Sequence, residues 1–355
     1  MLRFLNLPIL FPVLMGLGLL ILHPESRKTR NLYLMTAVLI TSALSFAAIG
    51  VTYVQGSDAL ACIMVRFNDV FSISLRIDGA SMVFGTIVST LWPIITVYAI
   101  DYMSHEGSEN RFFSFWLMAY GVVLGVAYSE DFLSLYLFYE LLTLSTLPLV
   151  MHAADEKARY AGREYLIYSL SGAAFAFIGI VFLLNYGAGH LNFTYGGILD
   201  AARVAGNERT LLVVFVAAFL GFGVKAAIYP FYRWLPDASV APTPVSALLH
   251  AVAVVKAGAF AVMRLIYFGF GADFLRGTWA QTVVMAATIV TIVYGSARAL
   301  RTPHLKRRLA FSTVSNLSYI IFGATIMTPA GLLGALCHMV FHAVMKISAF
   351  FCAGS

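Results

Sequence analysis

Long apolar segments of about 20 residues recur along the whole chain, and short polar connectors separate them. An α-helix of about that length spans the roughly 30 Å hydrocarbon core of a bilayer, so the pattern predicts an all-α polytopic membrane protein. The first segment is longer than the apolar part of a signal peptide and lacks a small-residue cleavage site, so we interpret it as a retained span. Eleven spans are predicted, over residues 4–22, 32–55, 79–100, 112–128, 131–151, 164–186, 210–231, 243–268, 279–300, 309–327 and 331–353.

The composition agrees with this pattern. Of the 355 residues, 60% are hydrophobic and only 11% are charged. Soluble globular domains do not have such a balance. The net charge of +6 is spread over connectors and spans, so it does not indicate a nucleic-acid-binding surface.

Lysine and arginine are divided unevenly between the two sets of connectors. Connectors on the side of residues 23–31 hold 13 of these cations, and the opposite set holds seven, Arg3 among them. The remaining three of the 23 lie within spans. Because cytoplasmic connectors retain positive charge, the N-terminus is predicted to lie outside.

Motifs for catalysis, redox chemistry or cofactor binding are missing. The three cysteines, Cys62, Cys337 and Cys352, are scattered and form no ligand run for an iron–sulfur cluster. His338 and His342 are four residues apart but lack the glutamate of a zinc protease motif, so we expect no metal site. The chain has no nucleophile elbow, phosphate loop or dinucleotide fingerprint. We therefore expect no cofactor and no catalytic or redox centre in this chain, which leaves open whether it serves a larger enzyme.

Ionisable side chains lie within four of the predicted spans, where they are costly and therefore usually functional. A static ion pair or an interhelical hydrogen bond is the alternative role for such groups. The candidates are Glu140 in the fifth span, Lys225 in the seventh, His250 and Lys256 in the eighth, and His338, His342 and Lys346 in the eleventh.

The spacing of these groups suggests proton transfer. His338, His342 and Lys346 are spaced i, i+4, i+8 and form one stripe on a helix. Histidine both accepts and donates protons near neutral pH. Apolar surroundings favour a neutral lysine, whereas a nearby carboxylate favours the ammonium. Movement of Glu140 relative to Lys225 is therefore predicted to load or unload the lysine proton.

Pro230 follows Lys225 by five residues and predicts a disruption of the seventh helix just past the lysine. Unwound backbone within a membrane is tolerated where it lines a hydrated cavity. Interrupted helices with charges beside the break mark ion sites in transporters. The seventh span is therefore predicted to be a broken helix at an ion site.

The central stretch KAAIYPFYRWLPDASVAPTPVSALLHAVAVVKAG resembles the signature of the antiporter-like, proton-conducting subunits of respiratory complex I, membrane-bound hydrogenases and Mrp-type cation/proton antiporters. The likeness extends from about residue 77 to the end of the chain. It also includes RIDGASMVFGTIVSTLWPIITVYAIDYM, LFYELLTLSTLPLV, LKRRLAFSTVSNLSYIIFGA and GALCHMVFHAVMKISAFFCAG. The segment ELLTLSTLPLV, with YAGREYL after it, resembles Mrp-type D subunits and hydrogenase relatives more than complex I.

The resemblance implies roles for the charged residues. Glu140 would be the family's fifth-helix glutamate and Lys225 its partner on the broken seventh helix. Lys256 matches the central eighth-helix lysine, and His250 matches a histidine that other members carry there, so either residue is a candidate for the central carrier. The eleventh-span stripe would continue the path.

The family's fold also implies two inverted five-helix repeats. The first three helices would occupy residues 1–111, the first repeat residues 112–270, and a partial second repeat residues 271–355. A complete second repeat needs helices nine to thirteen, so we expect the chain to be part of a longer polypeptide. The alternative is a half-channel that is absent or supplied by another polypeptide.

These features together predict a proton-translocating membrane subunit of a multisubunit complex, in the bacterial or archaeal cytoplasmic membrane. Its expected partners are other membrane subunits, the lipid bilayer and protons, with exchange for sodium left open. A stand-alone secondary solute transporter and a structural scaffold are the alternatives. The sequence does not decide between an Mrp-type antiporter, a hydrogenase and a complex I relative.

Overall fold

The computed structural model describes residues 4–68 and 71–354, so Arg3 of the orientation count lies outside the described residues. Helices dominate, with a 3₁₀ turn at Phe4–Asn6, another at Ala238–Val240 and a π-helical turn at Leu265–Phe270. The elements in chain order are α1 (Leu7–Leu22), α2 (Arg27–Gln55), β1 (Cys62–Arg66), β2 (Ser72–Leu75), α3 (Gly79–Met103), α4 (Glu109–Tyr128), α5 (Phe132–Val150), α6 (Glu156–Tyr186), α7 (Ala201–Val204), α8 (Glu208–Gly223), α9 (Trp234–Asp237), α10 (Thr243–Ala251), α11 (Val254–Arg264), α12 (Ala272–Leu275), α13 (Trp279–Arg301), α14 (Leu305–Thr325) and α15 (Pro329–Gly354).

The predicted all-α polytopic architecture is confirmed. A helical segment lies at each of the eleven predicted spans, and nine segments in the described part of the chain are long and apolar enough to cross a membrane. The other two fall short of the prediction. α8 has only 16 residues because its helix ends at Gly223. α14 begins with three cations and continues with serine, threonine and asparagine, which lower its hydropathy.

A small β-hairpin in the connector between α2 and α3 was not predicted. β1 and β2 pair antiparallel, with a bulge between Ile63 and Val65. The hairpin is tied to the helices because the Ser74 amide donates to the Ser134 hydroxyl at 2.8 Å and the Arg76 amide donates to the Tyr128 carbonyl at 2.8 Å. It therefore fixes the end of α4 and the start of α5.

Two ion pairs each join connectors that were grouped on one side in the cation count. On the side of the α1–α2 connector, Arg27 lies 3.1 Å from Glu109 at the start of α4. At the second contact, Arg307 at the start of α14 lies 3.1 Å from Asp237, which follows the seventh predicted span. Both contacts agree with the grouping of connectors used for the cation count. Neither shows which side faces the cytoplasm.

The centre of the protein is formed by α10, α11 and the π-helical turn, because the apolar window of 243–270 is wholly buried. By contrast, only 22% of the corresponding window of α13 is buried, so α13 lies at the surface of the part of the chain that the structure describes. Small residues allow the outer helices to pack closely. A Cβ on Gly121 of α4 would lie 2.2 Å from the Ile9 carbonyl of α1.

Buried hydroxyl groups connect α2, α3 and α4. Ser42 and Tyr120 share a hydrogen bond of 2.7 Å. Ser89 donates to Ser45 at 2.6 Å, and Ser45 is bonded in turn to Tyr128. Such hydrogen bonds join helices where lipid offers polar groups no alternative partner. The cluster is uncharged and serves helix packing.

Asp78 and Arg264 form a buried ion pair between the start of α3 and the end of α11. Arg264 is 1% exposed and donates to Asp78 Oδ1 at 2.7 Å and to the Ser81 hydroxyl at 2.9 Å. Burial acts to raise the pKa of Asp78, but the Arg264 charge and hydrogen bonds outweigh it and lower the pKa to about 2. Three aromatic rings surround the guanidinium at 4.5–4.8 Å, those of Phe193, Phe260 and Phe268.

The lowered pKa gives this pair a defined pH dependence. A carboxyl whose pKa is lower in the folded protein stabilises the fold fully above its ordinary pKa and loses that contribution as the pH falls through the folded value. For Asp78 the window therefore runs from the ordinary value of 3.8 down to about 2.

We expect Asp78→Asn to lower the free energy of unfolding by about 3 kcal/mol at neutral pH, because it leaves the Arg264 guanidinium buried without a counter-ion. The measurement is thermal unfolding of the purified protein in detergent, followed by fluorescence. Asp273→Asn is the control, since Asp273 is 87% exposed in its pair with Arg276 and should contribute little. Equal small effects of both substitutions would contradict a stabilising role for the buried pair.

Candidate functional site

Glu140 and Lys225 lie together inside the protein. Glu140 is near the middle of α5, and Lys225 follows the end of α8 by two residues. Lys225 Nζ is 3.1 Å from Glu140 Oε1, donates to the Tyr139 carbonyl and lies 3.3 Å from the centre of the Tyr139 ring. The lysine side chain is 1% exposed and the glutamate 21%, so only the carboxylate is accessible from outside.

The break in the seventh span begins earlier than predicted. α8 ends at Gly223, so Lys225 lies within the unwound segment, whereas the sequence predicted a helix through Lys225. The proline ring at Pro230 conflicts with the carbonyl four residues before it, and it disfavours helical geometry at the preceding residue. Ala227 adopts a left-handed conformation with φ of 57°, which also interrupts the helix.

Side chains from three elements satisfy backbone groups that the break releases. Lipid supplies no hydrogen-bond partners, so such groups need partners inside the protein. The contacts are from Tyr139 OH to the Phe222 carbonyl (3.0 Å), from Trp234 Nε1 to the Val224 carbonyl (2.8 Å) and from the Tyr229 amide to Thr291 Oγ1 (2.9 Å).

A glycine allows α11 to approach the broken segment. A Cβ on Gly258 would lie 2.6 Å from the Ala226 nitrogen and 2.8 Å from the Lys225 carbonyl carbon. Distances below about 3 Å are not tolerated, so a larger residue would push the two elements apart. The unwound segment therefore lies directly against the helix that carries Lys256.

The eighth span is also interrupted, which the sequence did not predict. α10 ends at Ala251 and α11 begins at Val254, and the amides of Val252 and Ala253 both donate to the Leu248 carbonyl. Neither proline nor glycine marks this site, so the sequence pattern resembled one continuous helix. Lys256 consequently lies in the first turn of a new helix.

Lys256 contacts a residue that its own sequence surroundings do not contain. Its Nζ is hydrogen-bonded to Nδ1 of His342 on α15, and both side chains are fully buried. His342 Nε2 has no hydrogen-bond partner in the part of the chain that the structure describes. The pair connects α11, at the centre of the protein, with the stripe of His338, His342 and Lys346 on α15, which we call the α15 stripe.

The α15 stripe continues on both sides of His342. The rings of His338 and His342 stack with centroids 6.2 Å apart. Lys346 donates to the Leu309 carbonyl at 3.0 Å and to the Ser312 hydroxyl at 2.9 Å, both on α14. The predicted i, i+4, i+8 stripe thus lies between Lys256 and α14.

His250 is placed differently from the other candidates. It is fully buried at the end of α10, and its ring stacks on Phe350 at 4.8 Å. Neither ring nitrogen has a hydrogen-bond partner among residues 4–68 and 71–354. Of the two candidates for a central carrier, Lys256 is therefore the one that is hydrogen-bonded to the stripe.

A resident metal has no obvious ligand set here. Within the described ranges, no group of three or more His, Cys, Asp or Glu side chains is arranged to hold a metal ion. His338 and His342 stack on each other instead of converging on a common point. The arrangement suits proton transfer between neighbouring side chains.

Sequence reasoning missed the residues that hold the break. Tyr139 resembles any aromatic residue of a membrane helix, and Thr291 is one of several threonines in α13. Trp234 lies nine residues after Lys225 but gives no sign that its indole folds back on Val224. Pro230 implied that some backbone groups would lose their helical hydrogen bonds. That was the one sign in the sequence that other side chains must bond to them.

Comparison with known families gives two matches. The profile described as "NADH:quinone oxidoreductase/Mrp antiporter, TM" matches residues 129–355. A second profile, described as "NADH-Ubiquinone oxidoreductase (complex I), chain 5 N-terminus", matches residues 67–113. The first match includes every candidate site residue.

Two curated relatives illustrate the sequence similarity. One Na(+)/H(+) antiporter subunit of Alkalihalophilus pseudofirmus is 34% identical over 301 residues, which cover 80% of this chain and 36% of the relative. The chloroplastic NAD(P)H-quinone oxidoreductase subunit 5 of Piper cenocladum is 29% identical over 360 residues, which cover 98% of this chain and 47% of the relative. The chain thus spans less than half the length of these relatives.

Two solved structures share the fold. A chain of the archaeal membrane-bound sulfane sulfur reductase superposes with a TM-score of 0.81 at 20% identity, covering 98% of this chain and 70% of that one. A chain of the Mrp complex from a Dietzia species also gives a TM-score of 0.81, at 22% identity, covering 98% of this chain and 37% of that one.

We expect Thr291→Val to loosen the broken segment, because it removes the acceptor of the Tyr229 amide while keeping the side-chain shape. An unsatisfied buried amide costs about 1–3 kcal/mol, so hydrogen exchange of residues 224–234 should speed up by about 5- to 150-fold. Thr291→Ser keeps the hydroxyl and should restore most of the protection. Unchanged exchange in Thr291→Val would contradict this role.

Proposed function

Since the chain belongs to the NADH:quinone oxidoreductase/Mrp antiporter transmembrane family, as its sequence predicted, we propose that it is a proton-translocating membrane subunit of a multisubunit complex. The observation that carries this proposal is the buried Glu140–Lys225 pair at a helix break, packed against the helix whose Lys256 contacts His342. Family membership favours this function over a stand-alone solute transporter.

The Glu140–Lys225 pair acts as the loading switch. While the carboxylate lies against Nζ, the ion pair stabilises the proton on the lysine. When the carboxylate moves away, the ammonium is left in apolar surroundings, where a charge is costly, and the proton leaves. The unwound backbone lowers the cost of a small displacement because fewer helical hydrogen bonds resist it.

Lys256 and His342 form the next step of the relay. Gly258 keeps the Lys225 backbone in contact with α11, so the two lysines lie on touching elements. A proton received by Lys256 passes through the hydrogen bond to His342 Nδ1, since a neutral imidazole accepts at one nitrogen and donates at the other. His338 and Lys346 extend the relay along α15.

The energetic demand on such a relay is modest. Moving one elementary charge through 100 mV costs about 2.3 kcal/mol. A change of one pKa unit at a carrier corresponds to about 1.36 kcal/mol. A pKa change of a few units per cycle at a carrier therefore corresponds to the free energy of moving one proton through a membrane potential of this size.

The names of the relatives suggest two kinds of complex to which this chain could contribute, an antiporter and a redox complex. As in an Na(+)/H(+) antiporter, the protein would exchange protons for sodium by using gradients alone. As in an NAD(P)H-quinone oxidoreductase, a redox partner would drive it. Copurification distinguishes these versions, because redox partners carry iron–sulfur or related centres and antiporter partners do not.

The distribution of basic residues supports an N-terminus outside a bacterial or archaeal cytoplasmic membrane, since 13 of the 23 lysines and arginines lie in one set of connectors. Residues 112–270 form the first inverted repeat, with the switch and Lys256, and residues 271–355 belong to the second, with the α15 stripe. Residues 1–111 supply the three helices before the repeats.

Glu140→Gln should halt or uncouple proton transport, because the amide keeps the shape but removes the charge that holds the Lys225 proton. Glu140→Asp keeps the charge and should retain part of the activity. Proton uptake into proteoliposomes of the whole complex is the measurement. Glu208→Gln, an exposed site at the start of α8, is the matched control. Full activity in Glu140→Gln would rule out the switch.

Lys256→Ala should slow coupled transport by about tenfold or more, because an added barrier of about 1.4 kcal/mol at the central carrier already slows a step tenfold. Assembly of the complex, checked by copurification, should be unchanged. His250→Ala should retain more activity than Lys256→Ala, since His250 is not hydrogen-bonded to the stripe. The reverse ranking would show His250 to be the central carrier.

A further inference from the structure

Four buried hydroxyl groups meet between α5 and α6. They are not part of the proposed relay, and each of the four side chains is at most 1% exposed. On α5 the group begins three residues after Glu140, so it adjoins the loading switch. The four, which we call the hydroxyl cluster, are those of Thr143 and Thr146 on α5 and of Tyr165 and Ser169 on α6.

The hydroxyl cluster is enclosed by neighbouring parts of the chain. A Cβ on Gly162 of α6 would lie 2.2 Å from Met151 Cγ, so the two helices pack tightly near the connector between them. The ring of Trp234, after the broken segment, packs on that of Tyr165 with centroids 5.1 Å apart. The cluster therefore lies in the interior formed by α5, α6 and the connector after the break.

Two of the four hydroxyl groups have partners and two do not. Thr146 donates to the Leu142 carbonyl at 2.6 Å and shares a 2.8 Å hydrogen bond with Tyr165, so Tyr165 is the donor to Thr146. Within residues 4–68 and 71–354, Thr143 Oγ1 and Ser169 Oγ have no hydrogen-bond partner. Both approach the Tyr165 hydroxyl without the geometry of a hydrogen bond.

The two unpaired hydroxyl groups suit a buried water. Threonine and serine in a helix often donate to the carbonyl one turn earlier, as Thr146 does. For Thr143 that carbonyl belongs to Tyr139, and it already accepts from Lys225. A buried hydroxyl without a partner is costly, and a buried water typically makes about three hydrogen bonds to such groups. Thr143, Ser169 and the oxygen of Tyr165 supply three.

The hydroxyl cluster also lies within reach of the Glu140 charge. Residues three apart on a helix are neighbours, which places Thr143 beside Glu140. The carboxylate acts electrostatically on the Tyr165 hydroxyl. A carboxylate that leaves its cation inside a membrane needs other donors. The titratable groups that face Glu140 are Lys225 after α8, Tyr136 and Tyr139 on α5, and Tyr165 on α6.

We propose that the hydroxyl cluster binds a water molecule between Thr143, Ser169 and Tyr165, and that this water donates a hydrogen bond to the Glu140 carboxylate when it withdraws from Lys225. The water stabilises a charge that apolar surroundings would otherwise oppose. It donates a hydrogen bond only, so no proton is transferred in this step. The role in switching rests on the proposed function, whereas the water site does not.

An experimental map of the whole complex, at a resolution that shows ordered water, tests the site without requiring transport. We expect density within hydrogen-bond distance of Thr143 Oγ1 and Ser169 Oγ, and its loss in Thr143→Val, which keeps the side-chain shape. Ser171→Ala is the matched control, since Ser171 is an exposed serine on the same helix as Ser169. A map without this density in the unsubstituted protein would overturn the water site.

The pH profile of proton uptake into proteoliposomes tests the role in switching. Thr143→Val and Ser169→Ala weaken the support of the withdrawn carboxylate, so Glu140 stays paired and Lys225 keeps its proton to higher pH. A hydrogen bond to a charged group is strong enough to shift the profile by about one to two units toward alkaline pH. Thr143→Ser retains the hydroxyl and should restore the original profile, and Ser171→Ala should not change it.

Three results would contradict this role. Slower transport in Thr143→Val without an alkaline shift would indicate a packing role only. An unchanged profile in both cluster variants would show that the water does not support the carboxylate. An alkaline shift in Tyr136→Phe instead would show that Glu140 withdraws toward the opposite end of α5. Failure of the switch itself would appear separately, as full activity in Glu140→Gln.

Discussion

Backbone groups released inside a membrane must find partners within the protein, and the site depends on how this chain meets that requirement. Unwinding after Gly223 frees groups that water would satisfy in a soluble protein. Tyr139, Trp234 and Thr291 satisfy three of them, and they come from three separate elements. These contacts keep the backbone unwound and so fix the position of Lys225. Its charge therefore lies outside a regular helix.

Tyr139 shows how closely structural support and proton chemistry are joined. Its hydroxyl holds the Phe222 carbonyl, its own carbonyl accepts from Lys225, and its ring lies beneath the ammonium. The ion pair has one more exposed partner, Glu140, which makes the carboxylate the group that is free to respond to a neighbour. The Asp78–Arg264 pair is held by more hydrogen bonds, because the guanidinium donates to both carboxylate oxygens and to the Ser81 hydroxyl. Under the proposed function, Glu140–Lys225 is the pair whose separation changes.

Much of this arrangement follows from the sequence because charge inside an apolar segment is visible without a structure. The spans, the helix break near Pro230 and the ionisable candidates were all predicted, and the helical repeat alone suffices to recognise a stripe such as His342 and Lys346. The interruption between α10 and α11 was missed because its residues are ordinary apolar residues of a membrane helix. The short α8 was predicted too long because apolar residues continue past the end of the helix.

The sequence by itself determined which residues carry charge, which segments enter the membrane and where a proline disrupts a helix. Those properties depend on single residues or on neighbours along one helix. Only the tertiary structure decided that Lys256 meets His342, 86 residues away, and that His250 meets Phe350 instead. It alone assigned Thr291 to the break. Such contacts depend on how each helix is rotated and how closely small residues such as Gly258 let two backbones approach, and no local pattern encodes either quantity.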